Sequence, residues 1–98
     1  MTHREYYLIC LMEECAEVQK AIAKMLRFGD SNFNPEIVEA GTNKDVFERE
    51  CVDVVALLGK LSAVGYDTGL NNTIGTYEKL VRLNEYTNLS ETLGIVKD

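Results

Sequence analysis

Five carboxylates fall into two runs at helical spacing, and three of them lie in or beside an apolar stripe. Glu13, Glu14 and Glu17 form a Glu-Glu-x-x-Glu run, and Glu50 with Asp53 forms Glu-x-x-Asp. Residues three apart on a helix are neighbours on one face, so each run presents an acidic pair. On a helical wheel, Val46, Val54, Leu57 and Leu61 fill an arc of roughly 80°, with Glu50 inside it and Asp53 on its edge. A lone carboxylate in an apolar stripe is costly unless it is paired or bound to a metal. Arg49 adjoins Glu50 in sequence but points roughly 100° away. Glu14 borders the apolar stripe of Tyr7, Val18, Ala21 and Met25. Glu13 and Glu17 share a polar face with Lys20, Lys24 and Arg27, where a solvated, salt-bridged surface is the plain alternative.

Two antiparallel helices carrying these runs would pool Glu14, Glu17, Glu50 and Asp53. Four such charges cannot all stay ionised side by side without a cation. The donors are all hard oxygens, and the one histidine, His3, is remote in sequence. That set favours Mg²⁺, with Mn²⁺ as a substitute, over zinc or a di-iron centre. Neutralising these four would take the net charge from −6 to about −2.

The elements that must position them are helical. Residues 4–28 repeat Leu8, Leu11, Met12, Cys15, Val18, Ile22, Met25 and Leu26 at helical spacing, with no Gly or Pro. Thr2 and Glu5 suit a capping box at the start, and Gly29 suits the stop. Residues 30–43 carry turn chemistry and form a long loop. Asn34 there could cap a short turn, with Pro35 first in it and Gly41 past its end. Thr42 or Asn43 caps a second helix, 44–64. A third covers about 71–87, weakened at its start by Gly75, and Ser90 could cap one more short turn in the tail. No strand pattern competes, so the class is all-α, in a single domain over residues 1–98.

Composition closes off other classes. A net charge of −6 without a basic block is a poor footprint for nucleic acid. No apolar run approaches the roughly 20 residues that cross a bilayer, and the charged start does not read as a secretory signal. Cys10, Cys15 and Cys51 form no CxxC pair and are odd in number. They read as reduced small apolar residues, which places the chain in the cytoplasm. A chain of 98 residues has a thin core.

Glu13-Glu14-Cys15-Ala16-Glu17-Val18, Lys24-x-x-Arg27-Phe28-Gly29, Glu50-x-x-Asp53 and Lys79-x-x-Arg82-x-x-x-Tyr86 together resemble the all-α NTP pyrophosphatase superfamily, in particular small phage-encoded MazG-like proteins. The resemblance spans about residues 5–87, with a longer loop between the acidic runs and a shorter end than is usual. It implies a helical bundle, four helices completed in a homodimer or homotetramer. It implies hydrolysis of a (d)NTP between the α and β phosphates to a monophosphate and pyrophosphate; no residue names the base, and a purine deoxynucleotide such as dGTP is taken as the first candidate apart from the resemblance. Carried over, Glu14, Glu17, Glu50 and Asp53 are the Mg²⁺ ligands, and Glu13 orients or deprotonates a water. Lys24, Arg27, Lys79 and Arg82 meet the phosphate tail. The base sits near Tyr7, Phe28, Asn32 or Phe33. The alternative is a non-catalytic helical module that binds nucleotide or another protein without turnover.

Overall fold

A computed structural model describes residues 1–98 as three helices and no strand. Helix α1 runs His3–Phe28, α2 Asn43–Ala63 and α3 Thr73–Thr92, with one 3-10 turn at Val38–Ala40. The all-α class read from the sequence holds.

Helix α1 begins where the Thr2 hydroxyl accepts the Glu5 N–H at 3.1 Å. It ends at Gly29, whose φ of 91° is open to a residue without Cβ. Its partner α2 returns antiparallel. Tyr7 of α1 meets Lys60 of α2, while Lys24 near the other end of α1 shares a cavity wall with Asn43. These two helices are the only pair that packs along its length.

The 29–42 segment is long but latched. Asn43, the one buried polar residue, donates its side-chain N–H to the Gly29 carbonyl at 2.9 Å. The first N–H groups of α2, orphans in any isolated helix, find loop carbonyls: Asn43 donates to Asn32 at 2.7 Å and Lys44 to Asp30 at 3.1 Å. Thr42 and Asp45 complete a capping box, each side chain accepting the other's N–H. Gly41 is required beside it. Its φ is 88°, and a Cβ there would lie 2.7 Å from Asp45 Oδ2. The short turn starts later than the Asn34–Pro35 pattern suggests: Ile37 precedes it, because the Asn34 carboxamide oxygen accepts the Glu36 N–H at 3.0 Å and closes a turn of its own.

Helix α3 differs from expectation at both ends. Asn72 caps it by accepting the Gly75 N–H at 2.9 Å. A Cβ on Gly75 would come within 2.9 Å of that cap, so this glycine makes room for the start it was expected to weaken. At the other end Ser90 caps no separate turn. It lies inside α3, and its carbonyl accepts the N–H groups of Ile95 and Val96 past the helix end.

Leu61 and Ala21, on α2 and α1, are the whole buried apolar core. Along α3, Ile74, Tyr77 and Tyr86 are each about two-thirds exposed or more. The radius of gyration is 17.0 Å, against about 13 Å for a compact chain of this length. No helix is long and apolar enough to cross a membrane.

Candidate metal centre

Glu14 projects from the middle of α1 and shares its stripe with Ala21, seven residues on, which is buried against α2. Glu50 and Asp53 project from the facing stretch of α2. One carboxylate oxygen from each of Glu14, Glu50 and Asp53 lies within 4.8 Å of the others. Glu14 and Glu50 are half-buried. Glu14 Oε2 is shut off from solvent and has no hydrogen-bond donor.

That oxygen explains the electrostatics. Carboxylates offer only acceptors, so Glu14 and Glu50 bond to each other only when a proton lies between them. This proton sharing is the largest cause holding the Glu14 carboxyl above its ordinary range. Desolvation comes next, then the negative charges of Asp53, Glu50 and Glu17. No lysine or arginine comes within ion-pairing distance of the trio. The two salt bridges in the chain are Lys20–Glu17 at 3.6 Å and Lys44–Glu48 at 2.6 Å, both elsewhere.

The donor set suits a hard divalent cation. Mg²⁺ takes hard oxygen ligands in an octahedron, and the trio offers three carboxylate oxygens close together. An ion there would satisfy the one buried polar atom that the protein leaves without a partner.

The structure thus gathers three of the five acidic residues singled out in the sequence. Glu17 sits outside the trio with its carboxylate toward Lys20, although its charge is felt at Glu14. Glu13 faces the Tyr6 side of α1, where its charge helps to raise the Tyr6 hydroxyl behind the larger effect of Cys10. Among the cations, Lys24 is half-buried and lines the loop cavity, and the Arg27 guanidinium lies 5.1 Å over the Phe28 ring. Lys79 lines a shallow groove with Asn72 and Thr76 at the start of α3, and Arg82 follows it on that exposed helix. The three cysteines are free thiols.

Sequence reasoning missed Asn43 and Glu36. Asn43 holds the loop onto α2, and its identity as a good capping residue masked that role. Glu36 lines the loop cavity, and nothing in its sequence surroundings sets it apart from an exposed loop carboxylate.

Compared with protein-family models, curated proteins and solved structures, the chain matches none.

Proposed function

We propose that this chain is a Mg²⁺-dependent nucleoside triphosphate pyrophosphohydrolase of MazG-like type, cleaving between the α and β phosphates. The observation that carries the reading is the donor-less, buried oxygen of Glu14 facing Glu50 and Asp53. Three carboxylates gathered with no lysine or arginine in ion-pairing distance gain most from a bound cation, which would offset their mutual repulsion.

Glu14, Glu50 and Asp53 would hold the ion, with Glu17 joining once it turns from Lys20. Mg²⁺ or Mn²⁺ bound there offsets the triphosphate's charge and lowers the pKa of water for attack on phosphorus. The chain's own residues supply the rest. Lys24 and Arg27 lie on the same helix, toward the loop, where a phosphate tail needs cations. Glu13 is a candidate to orient the attacking water from the neighbouring face of α1.

The same reading makes the protein a homo-oligomer. A core of Leu61 and Ala21 cannot sustain three helices, and the apolar face of α3 has no cover within the chain. A second copy would cover it and complete a four-helix bundle, and would bring Lys79 and Arg82 of α3 toward a neighbour's triphosphate.

The test is product analysis of the purified protein with Mg²⁺ against all NTPs and dNTPs. Monophosphate and pyrophosphate in equal amounts are expected. Diphosphate and phosphate would overturn the cleavage position. No turnover with Mg²⁺ or Mn²⁺ would leave a non-catalytic helical module.

A further inference from the structure

Helices α1 and α2 pass each other in a regular register. Tyr7 meets Lys60, Glu14 meets Asp53, and Ala21 shares a wall with Val46. Each step of seven residues along α1 answers a step of seven back along α2, about 10 Å of helix rise. The acidic trio is thus the middle rung of the seam. The Tyr7–Lys60 rung lies on one side of it, toward the start of α1, and the loop after Gly29 lies on the other.

The Lys60 rung carries a cation without an anion. The Lys60 ammonium lies 5.5 Å over the Tyr7 ring, with no carboxylate in ion-pairing distance. One turn back on α1, the Arg4 guanidinium lies 5.1 Å over the Tyr66 ring and is also unpaired. At an exposed site a ring face holds a cation weakly. A phosphate oxygen, which brings a full charge, holds it more strongly. Tyr7 itself is half-buried and flanked by the rings of His3 and Tyr6, so Lys60 can leave it without disturbing the seam.

The two ends of the seam differ in room. At the loop end a cavity of about 680 Å³ has Lys24, Phe28, Phe33 and Asn43 among its lining residues. At the Lys60 end the hollow beside Tyr6 and Tyr7 is about 360 Å³. A nucleotide with its inner phosphates at the acidic trio therefore has more space for its nucleoside toward the loop. Its outermost phosphate then points toward Lys60. Lys24 offsets charge on the nucleoside side of the trio, and Lys60 offsets it on the terminal side.

We propose that Lys60 binds the terminal phosphate: its ammonium leaves the Tyr7 ring for the γ-phosphate, and the site thereby selects triphosphates over diphosphates. The assignment rests on the triphosphate reading above. Two measurements test it. The first is kcat/KM, with Mg²⁺, for dNTPs and the matching dNDPs with wild type, Lys60→Ala and Lys60→Arg. Wild type should favour the triphosphate by about tenfold or more, the scale of one charge-assisted contact. Lys60→Ala should lower kcat/KM about tenfold more for the triphosphate than for the diphosphate, so that the preference disappears. Lys60→Arg keeps the charge and should keep the preference. A purely structural role would lower both substrates together. The second is calorimetric binding, with Mg²⁺, of dNTP and dNDP analogues that carry a methylene group in place of the α–β bridging oxygen and are not cleaved there. The same preference should appear in Kd and vanish in Lys60→Ala. Hydrolysis with equal kcat/KM for the two classes, or a preference that Lys60→Ala leaves intact, overturns the Lys60 assignment and leaves the reaction standing. A Lys60-dependent binding preference without hydrolysis of any natural triphosphate overturns the reaction and supports the Lys60 assignment. Neither hydrolysis nor binding overturns both.

Discussion

Glu14 of α1 and Glu50 of α2 meet across the helix seam with a buried oxygen between them and no donor to bond it. Neither helix brings a lysine or arginine into ion-pairing distance, and Asp53 adds a third charge. A proton on the raised Glu14 carboxyl eases this repulsion, and a cation would do so in its place.

Glu14→Gln separates those two states. Its carboxamide NH₂ supplies the donor that Glu50 lacks and removes one of the repelling charges. The metal-free variant should melt at a higher temperature than the metal-free wild type. It should lose the rise in Tm that Mg²⁺ gives wild type, because a ligand that binds only the folded state stabilises it by mass action. Turnover should fall by about 100-fold or more, as expected for loss of a direct metal ligand. A variant with wild-type rates would remove Glu14 from the site.

The raised Glu14 carboxyl sets a direction with pH. The folded protein holds this proton more tightly than the unfolded chain does, so its contribution to stability is full below the ordinary carboxyl range. It is lost as pH rises through the higher folded value. Metal-free protein should thus lose stability as pH rises above the ordinary carboxyl range. Mg²⁺ binding needs the proton gone, so its stabilisation should grow over the same window. Tm against pH, with and without Mg²⁺, should show two curves that diverge upward in pH. Parallel curves would mean that the ion binds elsewhere.

The start of α2 offers a test that does not depend on chemistry. Thr42→Ala removes one half of the capping box and should cost about 1 kcal/mol. Gly41→Ala should cost more, about 1–3 kcal/mol, since it strains a φ of 88° and drives a Cβ onto Asp45 Oδ2. The Asp45 carboxyl, held low chiefly by the Thr42 N–H, should return towards its ordinary range in Gly41→Ala. Carboxyl NMR titration against urea unfolding would read both effects on one sample.

How much of this was legible beforehand varied with the range of the interactions. Helices α1 and α2 follow from apolar spacing and from Thr2, Gly29 and Thr42, all local signals. Glu50 stood out because its helix face is apolar, and the structure sets Glu14 and Asp53 beside it with no lysine or arginine in ion-pairing distance. Glu17 could not be sorted by spacing, since three residues to Lys20 and three to Glu14 are equally good helical contacts. The end of α3 was obscured by its composition. Thr87 and Thr92 are weak helix formers, yet their hydroxyls donate to the Leu83 and Asn88 carbonyls and the helix runs on to Thr92. The Asn43–Gly29 latch joins residues 14 apart, and no local pattern encodes such a bond.

The exposed face of α3 leads to the last prediction. Tyr77 is 68% exposed and Leu80 is 52% exposed, three residues apart on one face, and α3 packs along neither α1 nor α2. The proposed homo-oligomer would cover this surface with a second copy. Sedimentation equilibrium should give a mass of two or four times 11.0 kDa. The double variant Tyr77→Glu, Leu80→Glu places charges in that contact and should shift the protein to monomer. Since a monomer retains little buried surface, far-UV circular dichroism should show a drop in helix content on the same dilution series. Turnover should fall with the dissociation, because Lys79 and Arg82 would be withdrawn from the neighbouring site. A monomeric wild type with full activity would show that one chain suffices, and that α3 stands free in solution.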